Sequence, residues 1–94
     1  MPKLSPEEIE SRLAQLPGWT RAGQGIRKRY KFRTFPEAVA FVTRVAFLSE
    51  AANHHPDITI NYNRVTLALI THSENALTEK DFGLAAQIER LSPA

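Results

Sequence analysis

The sequence predicts an α+β domain in which three helices pack on one face of a four-stranded antiparallel sheet, in the order αββαββα. Two observations carry this expectation. A hydroxyl residue followed three positions later by a carboxylate marks a helix start, and it occurs at Ser5 with Glu8, Thr34 with Glu37 and Thr78 with Asp81. Between these marks, apolar residues recur at every second position, the period of a half-buried strand. With 94 residues the chain has room for one ordinary core, so residues 1–94 are read as one domain.

The first helix follows Ser5, has Pro6 at the favoured first helical position, and should end before Pro17-Gly18. A short strand around Trp19 pairs through Ala22-Gly23-Gln24-Gly25 with a second strand over residues 26–33. That strand sets Arg27, Arg29, Lys31 and Arg33 on one face and Ile26, Tyr30 and Phe32 on the other, with Lys28 interrupting the apolar side. The second helix runs from about Phe35 to Ala52 and stops at "NHHP", because the residue before a proline disfavours helix. Ile58, Ile60 and Tyr62 then alternate on one strand, and Val65, Leu67 and Leu69 on the next. The hairpin loop lies near Asn63. A two-residue loop at Asn63-Arg64 would pair His55 with His72, and a four-residue loop would pair His54 with Thr71. The third helix fills the C-terminus.

Composition narrows the function classes. The chain is 43% apolar and 23% charged, as an ordinary globular protein is. A net charge of +2 does not make a polyanion the default partner, and the basic strand lacks interleaved aromatic residues, so nucleic acid is not expected. There is no cysteine, which removes disulfides, thiolate metal sites and thiol nucleophiles. No apolar leader or membrane-length run is present, and the cytoplasm is the expected compartment.

The candidate site is the stretch "NHHPD" at residues 53–57 together with "THSE" at 71–74. Both hairpin registers bring these two segments, and all three histidines of the chain, to one end of the sheet. An imidazole titrates near neutrality, so a pair can hold an acid and a base for one substrate. Asp81 is the candidate to tune them: at helical spacing it shares a side with Leu77, Leu84 and Ile88 and faces inward. Three histidines without cysteine fall short of the four protein ligands usual in a closed zinc site, so no metal is assigned.

The stretch "HHPDITINYNRVTLALITHSENALTEKDFGLAAQI" resembles the signature of the pterin-4a-carbinolamine dehydratase family. Glu50, His54, His55, Pro56, Tyr62, Thr71, His72, Leu77, Thr78 and Asp81 stand at the family's motif positions, and "LPGW" at residues 16–19 extends the likeness over essentially the whole chain. Two positions depart from it: Ala51 replaces a frequent Lys, and Ala76 a frequent Gly.

The resemblance implies the same fold and a reaction: loss of water from 4a-hydroxytetrahydropterin to give quinonoid dihydropterin. It implies His54 and His72 as acid and base, His55 as a substrate contact, and Asp81 as electrostatic support. It further implies Pro56, Thr71, Ser73 and Glu74 as pocket residues. The pterin is the substrate, and no cofactor is implied. It also implies service to a pterin-dependent aromatic amino-acid hydroxylase, and an alternative role as a non-catalytic binding module, the dimerisation cofactor of a homeodomain transcription factor. Finally, the second helix is apolar nearly all round. Ala38, Phe41, Val42, Val45, Leu48 and Ala52 form the side expected to cover the sheet, while Val39, Ala40, Ala46, Phe47 and Ala51 lie on the other side and its flank. Nothing is left in the chain to cover that second side, so a homodimer or homotetramer through this helix is expected.

Overall fold

The computed structural model describes residues 2–91. Its elements are α1 (Pro6–Leu13), β1 (Thr20–Ala22), β2 (Gly25–Lys31), α2 (Phe35–Ala52), β3 (Asp57–Asn61), β4 (Arg64–Leu69) and α3 (Glu79–Leu91). The sheet is antiparallel throughout, in the order β1-β2-β4-β3. The predicted fold class and element order are the observed ones.

Local chemistry starts each helix, with one variation per cap. At α1 both halves of the capping box form: Ser5 Oγ accepts from Glu8 N, and Glu8 Oε1 accepts from Ser5 N at 2.8 Å. At α2, Thr34 Oγ1 accepts from Glu37 N, but the Glu37 carboxylate reaches back to Arg33 N at 3.1 Å. With Arg33 N bonded to the helix cap and Phe32 N to Asn63 O at the hairpin turn, β2 ends at Lys31 rather than at residue 33. Trp19 likewise precedes β1 and is buried in the core.

The inner face of the sheet alternates as the period requires. Ile26 pairs with Leu69 and Tyr30 with Val65, and all four are buried against the helices. Gly25 permits the closest approach of β2 to β4, since a Cβ there would meet Leu69 O at 2.3 Å. The β3–β4 hairpin takes the register that places His54 opposite Thr71, but with a two-residue turn at Tyr62-Asn63 instead of a four-residue loop. Tyr62 takes the left-handed conformation (φ 54) that such a turn needs, and Asn63 Nδ2 ties the turn to Phe32 O at 2.8 Å. Neither the turn at Asn63-Arg64 nor the pairing of His55 with His72 occurs.

Helix α2 buries Ala38, Phe41, Val45 and Ser49. Ser49 replaces Ala52 on the covered side: its hydroxyl bonds Val45 O at 2.8 Å, which satisfies it inside, while Ala52 at the helix end is exposed. Phe47 remains 74% exposed.

Where β2 meets the last turn of α3, one carboxylate gathers three donors. Lys28 Nζ reaches Glu89 at 2.8 and 2.9 Å, Trp19 Nε1 reaches it at 3.2 Å, and the Tyr30 hydroxyl also donates to it. Lys28, which broke the apolar alternation, is therefore accommodated on the helix side by an ion pair and by the face of the Tyr30 ring, 4.7 Å away. Burial pushes Glu89 up, yet the hydrogen bonds from Lys28 and Tyr30 and the charge of Lys28 outweigh it and hold the carboxyl below its usual value of 4.5. A folded-state value below the unfolded one means that this contribution is complete above about pH 4.5 and is lost as pH falls through the folded value. Glu89→Gln should therefore lower stability at pH 7 by about 1–2 kcal/mol in urea unfolding and flatten its decline on acidification below the carboxylate range.

Candidate active site

The end of α2 positions the first histidine. Asn53 adopts the left-handed conformation (φ 51), its N–H bonds Glu50 O, and His54 N–H bonds Ser49 O at 3.0 Å. This is a Schellman motif with asparagine in the usual place of glycine. The helix thus stops at the asparagine, before the proline can act, and His54 is turned back under the helix while His55 is turned out.

His54 is buried and its Nε2 lies 2.6 Å from Asp81 Oδ1. Asp81, in the first turn of α3, is fully buried. Its other oxygen accepts from the Thr71 hydroxyl at 2.8 Å and from Thr78 N at 2.9 Å. Three donors and no acceptor surround the carboxylate, the complement of an acceptor-only group. Because the Thr71 proton is committed to Asp81, the 2.8 Å contact between the two threonine hydroxyls runs from Thr78 to Thr71. Thr78 Oγ1 in turn accepts from Lys80 N at 3.2 Å. The capping pair predicted at Thr78/Asp81 is thus half formed: the carboxylate caps the helix and simultaneously holds a histidine.

A carboxylate at Nε2 favours the tautomer with its proton there, which leaves Nδ1 as the ring nitrogen open to a further bond. Among the described residues no buried side-chain nitrogen or oxygen lacks a partner, so Nδ1, which bonds nothing there, lies where solvent or a ligand reaches it.

The remaining predicted residues surround this pair unequally. His55 is exposed and bonds Glu50 Oε1 through Nε2 at 2.8 Å. Pro56 is half-buried. Two residues past β4, Thr71 forms an isolated bridge to Ala76, and the four residues between them form a tight loop closed by Glu74 N to Thr71 O and Asn75 N to His72 O, both 3.1 Å. His72 and Ser73 stand exposed on that loop. Glu74 is exposed and lines a separate cleft with Lys3, Arg21 and Gln24.

Asp81 therefore contacts one histidine of the three, not all of them. Thr71, expected as a pocket residue, spends its hydroxyl on Asp81 instead. Sequence reasoning missed the bond between Glu50 and His55 and the contact between the Thr71 and Thr78 hydroxyls. Glu50 precedes His55 by five residues, a spacing that meets only because the chain reverses at Asn53. Among the described residues no group of three or more His, Asp or Glu side chains is placed to hold a metal ion.

Residues 2–91 match the family model described as pterin 4 alpha carbinolamine dehydratase. A relative from Roseiflexus sp., provisionally named a pterin-4-alpha-carbinolamine dehydratase, is 56% identical over 95% of this chain and 96% of its own. The crystal structure of a transcriptional coactivator/pterin dehydratase from Brucella melitensis superposes with a TM-score of 0.92 at 34% identity, covering 96% of this chain and 98% of the other. A pterin dehydratase-like protein identified as a RuBisCO assembly factor in the alpha-carboxysome superposes at 0.67 with 25% identity, over 81% and 88% of the two chains. The chain belongs to the pterin-4a-carbinolamine dehydratase family, a family of hydro-lyases.

The carboxylate network makes a measurable claim about the site. In Asp81→Asn an amide NH2 must face either the His54 Nε2–H or the Thr71 and Thr78 donors, so one donor pair clashes whichever way the amide turns. The variant should lose about 1–3 kcal/mol in urea unfolding. Nitrogen NMR of the His54 ring should change from a dominant Nε2–H form to a tautomer mixture.

Proposed function

We propose that this protein eliminates water from a 4a-hydroxytetrahydropterin by histidine acid/base catalysis. Family membership supports the substrate, and the buried His54–Asp81 pair, flanked in the chain by exposed His55 and bonded through Asp81 to Thr71, the neighbour of exposed His72, is the observation that carries the chemistry. The C4a hydroxyl leaves as water once it receives a proton, and N5 gives up its proton as the quinonoid dihydropterin forms. One acid and one base suffice, and solvent restores both afterwards. His54, oriented by Asp81, and His72 take these two roles. His55, steadied by Glu50, holds the pterin. The substrate would be supplied in the cytoplasm by an aromatic amino-acid hydroxylase, and the product would be consumed by a reductase in tetrahydrobiopterin recycling.

A second reading, a non-catalytic binding module or a dimerisation cofactor of a transcription factor, rests on two comparisons: one structure of this fold is described as a transcriptional coactivator/pterin dehydratase and another as an assembly factor. A non-catalytic binding module would tolerate loss of its histidines. In a stopped assay of carbinolamine dehydration, His72→Ala should be slower by ~10²-fold or more with the fold retained, and His54→Ala slower by as much in a folded but less stable protein, because it also removes a donor from buried Asp81. Unchanged turnover in either folded variant removes that residue from the mechanism, and wild-type protein without turnover favours the binding module. EDTA should leave the rate unaltered, whereas loss of activity restored by zinc would replace this chemistry with a metal-dependent one.

The protein also acts, in this reading, as a homo-oligomer. Phe47 is 74% exposed and Val39 37% on the outer side of α2, and Ile58 and Ile60 on edge strand β3 are 38% and 37% exposed although Leu67 and Val65 opposite them are fully buried. Light scattering should give a dimer or tetramer mass that Phe47→Glu shifts toward the monomer. A wild-type mass of one 10.6 kDa chain overturns this.

A further inference from the structure

The open face of the sheet, opposite the helices, carries a charge distribution that folding does not require. The register puts Arg27, Arg29 and Lys31 of β2 and Arg64 of β4 on this face, with Lys31 directly opposite Arg64. All four are exposed, and among the described residues none of these side chains is ion-paired. Like charges directly opposite each other weaken a sheet. Protection of a sheet edge by cations does not account for Arg27 or Arg64, because β1 pairs with β2 at Arg27 and β4 is paired on both sides at Arg64. Asp57, the acid on the same face, sits at the far edge, separated from Arg27 by Ala68.

What surrounds the cations selects the ligand chemistry. Thr20 lies opposite Arg27 and Thr66 opposite Arg29, so hydroxyls flank both guanidiniums. With Gly18 these residues line a cleft of about 410 Å³, in the size range of small-molecule sites. The paired residues of this face include no large apolar or aromatic side chain, so it offers neither the apolar core of a protein interface nor a platform on which bases stack. Guanidiniums and hydroxyls are donors to oxyanions, and arginine grips phosphate with two parallel bonds. Alternate residues of a strand repeat at about 6.7 Å, which suits a chain of linked anionic groups better than one isolated anion.

We propose that this face binds a short chain of linked phosphoryl groups on a small molecule, held by Arg27 and Arg29 with Thr20 and Thr66, with Lys31 and Arg64 extending the positive field. The site lies across the sheet from α3 and its Asp81, so it stands independently of the dehydratase reading.

Inorganic tripolyphosphate is the probe, titrated at 0.15 M salt by calorimetry with amide shifts recorded in parallel. Saturable binding with shifts confined to β1, β2 and β4 is expected. In Arg27→Gln/Arg29→Gln the affinity should fall by about tenfold or more, with a melting temperature equal to or above wild type because repulsion is relieved. His72→Ala should bind as wild type does. Absence of saturation, shifts centred elsewhere, or full affinity in the double variant would overturn the proposal. So would duplex DNA binding in the absence of tripolyphosphate binding, which would mark a macromolecular surface instead.

Discussion

The Asp81 carboxylate is the constraint on which the rest of the site depends. It is fully buried, and it is satisfied from three directions: His54 after α2, Thr71 at the end of β4, and the Thr78 backbone at the start of α3. A buried anion tolerates no missing donor. Each donor therefore fixes its own element relative to the others, and a helix end, a strand end and a helix start are drawn to one point. The geometry of the candidate site and the stability of the fold are in this way the same set of bonds.

Helix α3 is held at both ends by the same device. Asp81 anchors its first turn to β4 and α2, and Glu89 anchors its last turn to β2 and Trp19. Between the two carboxylates the buried face is apolar, with Phe82, Leu84, Ala85 and Ile88 against the core. Non-directional burial would let the helix slide along the sheet, whereas two hydrogen-bonded carboxylates set its position along the axis. The consequence reaches the site, because a helix displaced by a fraction of a turn would withdraw Asp81 from His54.

The two faces of the sheet divide the roles. The inner face is covered and carries α3, whose first turn forms the histidine site. The outer face is polar, and its cations crowd the inner strands without acids to answer them. The exposed apolar atoms lie elsewhere, on the outer side of α2 and along edge strand β3.

Much of this was legible in the sequence. Capping pairs at Ser5, Thr34 and Thr78 announced the helices, and the alternation of Ile58, Ile60, Val65, Leu67 and Leu69 announced the hairpin, because both signals depend on residues within a few positions of one another. The inward aim of Asp81 followed from helical spacing alone. The tertiary structure decided the rest. It chose the register that sets His54 opposite Thr71, through a turn that needed a left-handed Tyr62; it exchanged Ser49 for Ala52 on the covered side of α2; and of the three histidines it gave only His54 to Asp81. Periodicity names the face a residue occupies, but which donor reaches a buried carboxylate depends on where distant segments stop, and here a reversal at Asn53 determined that.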